Sequence, residues 1–133
     1  MREILFRGKR VYNGEWAYGS LILWKDGDAE ICVSSTEERE EQSKFIVHPE
    51  TVGQYTGLTD KNGEKVFDGD ILEAITGNPV GEPIVVNVVV NLDDYELMWD
   101  IEHSYEIEVI GNIHDNPELL GGAEMKDGNN TNF

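Results

Sequence analysis

Apolar and polar residues alternate in several short stretches of the chain, and such alternation is typical of β-strands with one buried face. In the first half, residues 3–7 alternate in this way, whereas 15–24 is rich in aromatic and branched residues and 29–33 and 44–48 are short apolar runs that also favour strands. Asn13-Gly14 lies between the first two and is a strong turn signal. The pattern predicts a β-meander in the N-terminal part of the chain.

The strand predicted at 15–24 is apolar on both faces. Trp16, Tyr18, Ile22 and Trp24 share one face, and Ala17, Leu21 and Leu23 share the other. We therefore expect both faces to need cover. The charged run that follows at 34–43 lacks apolar periodicity and predicts a solvated loop or a short exposed helix.

The next segment connects the meander to a second unit. Pro49 suits the first turn of a helix, and Gly53 and Gly57 would stop that helix within a few residues. Near the other end, Asp115 or Asn116 can cap a single helical turn that begins at Pro117. The remaining residues are polar and predict a flexible tail.

The second half carries a sharper alternation. The even positions of 84–92 are all apolar and predict a core face: Ile84, Val86, Val88, Val90 and Leu92. Two later segments alternate as well. Leu97, Trp99 and Ile101 share a face in 95–102, and Ile107, Val109 and Ile113 share a face in 106–113. The pattern predicts three neighbouring strands with one apolar inner face.

A register follows, because a slip of one residue would bury carboxylates. A two-residue turn at Asp93-Asp94 would pair Val90 with Leu97, Val88 with Trp99, and Val86 with Ile101. A three-residue loop at 103–105 would pair Ile101 with Ile107 and Trp99 with Val109. The same register places Glu102 opposite Glu106 and Asp100 opposite Glu108, and like charges in such positions are destabilising.

The outer face predicted from this register is an acidic interaction face. Its members are Glu96, Asp100, Glu102, Glu106 and Glu108. Bulk counter-ions, a bound divalent cation or a basic partner surface would each offset the repulsion. Asp100 and Glu108 are the weak candidates for metal ligands, and no cofactor is expected.

The length and the net charge of the chain limit the classes of function that it can have. The 133 residues suit one domain, or one small barrel with an appendage. Ten basic against 27 acidic residues give a formal net charge of −17, which disfavours direct binding to nucleic acid. No Lys or Arg occurs from Val66 to Met125, whereas Arg2, Arg7, Lys9 and Arg10 crowd the start.

The sequence contains few other residues or segments that indicate a reactive site or a cellular location. Cys32 stands alone in an apolar run, so we expect a reduced, buried thiol and no disulfide. His114 beside Asp115 is interpreted as a structural histidine in a capping context. Because the start lacks a signal peptide and no run approaches membrane-spanning length, we expect the cytoplasm and no membrane contact.

The acidic stretch "TDKNGEKVFDGDIL" at 59–72 admits three interpretations. As a calcium loop starting at Asp60 it fails, because Gly63 falls fourth instead of sixth and Ile71 stands where a Glu is needed. As catalytic carboxylates, Asp68 and Asp70 lack a companion base or nucleophile. The Asn62-Gly63 pair instead predicts a hairpin, and Asp68-Gly69-Asp70 a tight turn leading Ile71 and Leu72 into the next strand.

Two blocks of the chain resemble the signature blocks of the YopX family of phage and prophage proteins. They are "PETVGQYTGLTDKNGEKVFDGDIL" at 49–72 and "VIGNIHDNPELL" at 109–120, and "MREILFRGK" is similar to the family's start. His114 departs from the pattern, because an aromatic such as Tyr is expected there. The resemblance implies a mainly β fold with a small SH3-type barrel in the C-terminal part, and a phage-derived gene expressed in bacterial cytoplasm. It implies no activity and no catalytic residues.

Within that frame we expect an N-terminal β-strand region at 1–48, a YopX-like barrel at 49–120 and a flexible tail at 121–133. Gly53, Gly57, Gly63, Gly69 and Gly111 should supply turns or close backbone approaches, and Tyr55, Phe67 and Ile71 are core candidates. The hypothesis of choice is a non-enzymatic accessory protein that binds an unknown protein partner and forms homo-oligomers. Two alternatives stay open. One is an acidic nucleic-acid mimic, and the other is a metal-dependent hydrolase using Asp68, Asp70, Asp100 or Glu108.

Overall fold

A computed structural model describes residues 3–34, 42–77 and 81–120, and these fold mainly into antiparallel β-strands. The mainly β prediction is confirmed. The chain divides into two compact units, Met1–Gly57 and Leu58–Phe133. Most of the predicted solvated run at 34–43 and the whole tail at 121–133 lie outside the described residues.

Unit 1 is an antiparallel sheet. Its elements are β1 (Phe6–Lys9), β2 (Trp16–Leu23), β3 (Ala29–Ser34), β4 (Gln42–Val47), a 3-10 helix (Pro49–Thr51) and β5 (Gly53–Thr59), whose end extends into unit 2. The strand order β4-β3-β2-β1-β5 confirms the predicted meander, and the 3-10 helix confirms the turn at Pro49. The core of the unit consists of Ala17, Ala29, Ile31 and Val47. Leu23 and Trp24 stay exposed, so one end of β2 lacks the expected cover.

Unit 2 is built around a three-stranded sheet. Its elements are β6 (Lys65–Phe67), β7 (Asp70–Thr76), β8 (Ile84–Val89), α1 (Tyr95–Glu102), β9 (Glu106–Asn112) and a 3-10 helix (Pro117–Leu120). The sheet order is β8-β7-β9, and β6 is hydrogen bonded to β5. The helical turn predicted at Pro117 is confirmed. Val66, Leu72, Val90 and Ile101 form the buried core.

Both turns predicted in the acidic stretch are present. Gly63 has a φ of 84°, which allows the tight turn after Asn62 between β5 and β6. Gly69 has a φ of 92°; its N–H donates to the Val90 carbonyl, and its own carbonyl accepts from the N–H of Ile113. This turn therefore fixes the start of β7 next to the ends of both neighbouring strands. Ile71 follows with no exposed surface, as predicted.

The strand predicted at 95–102 is wrong, because these residues form the helix α1. The apolar residues Leu97, Met98 and Ile101 also fit one face of a helix, and that period competes with the alternation. The Asp94 carboxylate caps the helix, since its Oδ1 accepts from the Leu97 N–H at 3.1 Å. Leu, Met and Glu are strong helix formers, so local preference and cap agree.

The predicted register is wrong for the same reason, because β7 lies between β8 and β9 and pairs with both. Leu72 faces Val88 and Val109, while Ala74 faces Val86 and Ile107. The inner face is still apolar, as predicted. However, the repulsive pairs Glu102–Glu106 and Asp100–Glu108 cannot form across strands, because Glu102 and Asp100 lie on α1.

The predicted core face of 84–92 is confirmed only at its C-terminal end. Val90 is 2% exposed and Val88 packs against the core, but Ile84 and Val86 are exposed. An eight-residue helix is about 12 Å long, whereas a six-residue strand extends about 20 Å. The helix is therefore too short to cover the whole of β8.

Neither sheet is closed into a barrel within the described residues. The SH3-type barrel, the N-terminal appendage and the domain boundaries at 48 and 120 stay predictions. Tyr55, Phe67 and Ile71 are buried, as the core prediction required. A Cβ on Gly111 would lie 2.6 Å from Asn116 Oδ1, which explains the glycine there by a close approach.

Candidate functional site

The short helix leaves a groove in unit 2 between α1 and the sheet. The groove has a volume of about 500 Å³. Its floor consists of β7 and β8 side chains, and α1 and the residues after it form its wall. The lining residues that matter below are Ala74, Val86, Val88, Leu97, Trp99 and Asp100. Since β9 does not contribute to this lining, the groove lies on the β8 side of the helix.

The end of α1 holds Trp99 in place at this groove. The His103 ring stacks on the Trp99 ring with 3.9 Å between centroids and 17° between planes. His103 Nδ1 lies 2.8 Å from the Trp99 carbonyl oxygen, and the hydroxyl of Ser104 donates to the Asp100 carbonyl at 2.9 Å. These contacts satisfy carbonyls at the helix end. A half-exposed tryptophan is thus presented by a capped helix.

Strand β8, which contributes to the floor of the groove, is an edge strand of the three-stranded sheet. Ile84, Val85 and Val86 are 50%, 54% and 37% exposed. Among the described residues, β8 is hydrogen bonded to β7 and to no other strand. No charged residue occurs between Pro83 and Leu92. An uncharged, apolar edge strand is the kind of surface that pairs with another extended chain.

The predicted acidic residues are divided between two elements. Glu96, Asp100 and Glu102 lie on α1, and Asp100 also lines the groove. Glu106 and Glu108 lie on β9. The five residues therefore do not form the single sheet face that the sequence predicted.

Lys61, which sequence reasoning missed, engages the two acidic residues of β9. Its Nζ lies 3.1 Å from Glu106 Oε2 and 3.4 Å from Glu108 Oε1. The hydrogen bond and charge of Glu106, with those of Glu108, raise the pKa of Lys61. Glu108 also faces Glu73 across the sheet, so the expected like-charge pair exists with a different partner. Lysine therefore supplies part of the compensating charge.

Asp60 is a structural carboxylate that holds two distant segments together. Its Oδ1 accepts from the N–H groups of Asn62 at 2.8 Å and Glu64 at 2.9 Å, and its Oδ2 accepts from the Val109 N–H at 2.9 Å. Burial raises the pKa of Asp60, but these three backbone donors together with Lys61 outweigh it, and the pKa is lowered. The residue tested as the first calcium ligand thus anchors the hairpin to β9.

The other candidate carboxylates also hold backbone. Asp70 Oδ2 accepts from the Phe67 N–H at 2.7 Å, and Asp68 Oδ1 accepts from the Leu92 N–H at 2.9 Å. Among residues 3–34, 42–77 and 81–120, no three His, Cys, Asp or Glu side chains are grouped so that they could hold a metal ion. The described segments contain no helix of the length and apolarity needed to cross a membrane.

Comparison with known proteins adds a family and one structural neighbour. The family model described as "YopX protein" matches residues 5–121. No curated protein matches the chain. A solved structure titled "Crystal structure of protein EF1440 from Enterococcus faecalis" is similar, with 23% sequence identity and a TM-score of 0.49. That comparison covers 90% of this chain and 99% of the other.

Proposed function

The chain belongs to the YopX protein family, and from that premise we propose that it is a non-enzymatic phage or prophage accessory protein that binds another protein. One observation carries the proposal: the apolar edge strand β8 borders a groove lined by Trp99. Large exposed apolar side chains grouped on one surface are typical of interaction sites. Tryptophan is also among the residues that contribute most to binding energy in protein interfaces.

The chemistry of the carboxylates supports a binding role more than a catalytic one. Asp60, Asp68 and Asp70 each accept hydrogen bonds from backbone N–H groups, so their lone pairs stabilise turns. Glu106 and Glu108 are engaged by Lys61. A hydrolase would need a carboxylate directed at a substrate, and among the described residues that line the groove Asp100 is the one carboxylate.

Finer features belong to the same proposal. They are an SH3-type barrel in the C-terminal part, residence in the bacterial cytoplasm, and homo-oligomers formed by contacts between basic and acidic regions of different copies. For the oligomer, Arg7 is 5% exposed and its guanidinium lies 4.6 Å from the centroid of the Trp16 ring. Lys9 and Arg10 are less buried and would supply most of the basic contacts. Light scattering at low and high salt tests the oligomer, because such contacts weaken as salt is added.

The binding proposal is tested by capturing proteins from infected bacterial cells with the wild-type chain and with Val85→Lys. A lysine on an edge strand blocks pairing with another strand. The matched control is Ile46→Lys, because Ile46 is 57% exposed on β4, which is the edge strand of unit 1. We expect proteins retained by the wild type and by Ile46→Lys to be lost with Val85→Lys. Identical recovery with all three chains would contradict the proposal.

The alternative of a nucleic-acid mimic is supported by the charge of unit 2, where Lys61 and Lys65 are the only cations between Leu58 and Leu120 in the sequence. This alternative predicts that duplex DNA competes with the chain and displaces it from the captured partner. Replacing Glu96, Asp100 and Glu102 together with glutamine would then abolish capture, while Val85→Lys would leave it intact. The two sets of variants therefore distinguish the two functions.

A further inference from the structure

We infer that the groove of unit 2 binds an extended protein segment that carries apolar side chains at alternate positions and basic residues at its ends. The segment would pair with the free edge of β8 and become a fourth strand beside the order β8-β7-β9. This inference rests on the proposed function, because it assigns a class of partner to the same surface.

The free edge of β8 selects an extended partner. Within the described part of the chain, the only strand paired with β8 is β7, through Val89 opposite Ile71 to Ile84 opposite Thr76. No strand of the described residues therefore pairs with the backbone N–H and C=O groups that point away from β7, and a new strand would do so. A helix cannot satisfy a row of such groups, whereas an extended segment can.

The groove selects apolar side chains at alternate positions. Val86 and Val88 are on the side of β8 that faces α1, and both line the groove with Trp99. A strand added beside β8 directs every second side chain to that same side, between β8 and the Trp99 ring. On the opposite side, the added strand would meet Val85 and Asn87, so polar residues are tolerated there.

The negative charge around β8 determines which residues we expect at the ends of the bound segment. Between Val66 and Met125 the sequence has no Lys or Arg, and Glu82 and Asp93 bracket the uncharged stretch that contains β8. Asp100 lines the groove. Basic residues at both ends of a bound segment would thus be attracted, whereas the β8 edge of a second copy would bring its own Glu82 and Asp93 and be repelled.

The inference is tested with synthetic peptides and the full chain labelled with nitrogen-15. The first peptide alternates valine and threonine between lysines at both ends. The second has the same composition with the alternation scrambled, and the third has glutamates in place of the lysines. We expect the first to shift the amide signals of 84–89 and to slow their hydrogen exchange. Its affinity should fall as salt is added, and the other two peptides should bind at least about tenfold more weakly.

Two substitutions on α1 locate the site. Trp99→Ala should weaken the binding of the first peptide by about tenfold or more, as is common when a tryptophan at the centre of an interface is removed. Tyr95→Ala is the matched control, because Tyr95 is 81% exposed on the same helix and does not line the groove. Circular dichroism checks that both variants keep their fold.

Each other outcome overturns the inference. Equal binding of the scrambled peptide would exclude strand addition, and equal binding of the glutamate peptide would exclude recognition by charge. Self-association that grows with salt and is lost in Val85→Lys would assign the edge to a second copy. If no peptide binds while Val85→Lys still loses captured proteins, this inference fails and the proposed function stands. If neither effect occurs, both fail.

Discussion

The carboxylate of Asp60 accepts a hydrogen bond from the backbone N–H of Val109, 49 residues later in the chain, at 2.9 Å. The same side chain also closes the Asn62-Gly63 turn through two further backbone donors. One buried anion thus joins the hairpin of unit 2 to β9, and the stability of the unit should depend on its ionisation.

Replacing Asp60 with Asn tests this dependence. The amide nitrogen of Asn cannot accept a hydrogen bond, so at least one backbone donor loses its partner, and we expect a loss of about 1–3 kcal/mol in the free energy of unfolding at neutral pH. Urea titration followed by circular dichroism measures it. Asp28→Asn, in an exposed turn of unit 1, is the control for the lost charge and should change stability little.

The pH dependence has a defined sign. Because the pKa of Asp60 is lowered in the folded protein, its contribution is fully present above the unfolded value of 3.8 and is lost as pH falls through the folded pKa. As the pH is lowered from 5, the free energy of unfolding should therefore fall more in the wild type than in Asp60→Asn. Parallel curves for the two proteins would show that Asp60 does not contribute in this way.

Lys61 should stabilise unit 2 through β9, and Lys61→Met removes its contacts with Glu106 and Glu108. We expect a lower melting temperature at low salt and a smaller difference at high salt, because the pair is exposed and screened. Since the pKa of Lys61 is raised in the folded state, its contribution is present below 10.5 and is lost as pH rises through the folded pKa. Lys25→Met, in a turn of unit 1, is the charge-matched control, and an equal drop in both variants would contradict the prediction.

Glu73 on β7 faces Glu108 on the neighbouring strand β9, and removal of Glu73 should be favourable. We expect Glu73→Thr to raise the free energy of unfolding by about 0.2–1 kcal/mol, because a like-charge pair disappears and threonine suits a strand. Calorimetric melting checks this. Glu15→Thr removes the same charge from a loop of unit 1 and should have less effect. Destabilisation by Glu73→Thr would show that Glu73 has a favourable role.

The Asp94 cap stabilises α1, and α1 forms the wall of the groove. Asp94→Ala should cost about 1 kcal/mol, because the Leu97 N–H loses its acceptor. Asp93→Ala removes the same charge one residue earlier, outside the capping position, and serves as the control. Amide exchange at Leu97 should become faster only in Asp94→Ala.

Local signals in the sequence predicted most of the fold. Asn62-Gly63 and Asp68-Gly69 were identified correctly because turn geometry depends on a few adjacent residues with special backbone angles. The segment 95–102 was misassigned because its apolar residues satisfy both a strand period and a helix period. The cap at Asp94 and the Leu and Met residues were the available signals that favour the helix.

The candidate site depended on contacts that no local pattern contains. Lys61 and Glu106 are 45 residues apart, and their ion pair depends on the contact of the Asn62 hairpin with β9, where the Lys61 N–H donates to the Ile107 carbonyl. Ile84 and Val86 are exposed because α1 is too short to cover them. The sequence prediction had a strand in the place of α1 and therefore could not anticipate this exposure. Once the helix is assigned correctly, the apolar edge and the groove both become expected features.

The hydrogen bond between Asp60 and Val109 joins two segments that leave the ribosome at different times during protein synthesis. Because the chain leaves the ribosome from its N-terminus, the strands of unit 1 emerge before those of unit 2, so the first sheet can form early. Asp60 and the strand β7 gain their last partners only when β9 emerges, because β9 supplies the Val109 N–H and one side of the sheet. Until then, the apolar surface of β7 and of the stretch at 84–90 is without its final cover, and such surface favours aggregation of a nascent chain.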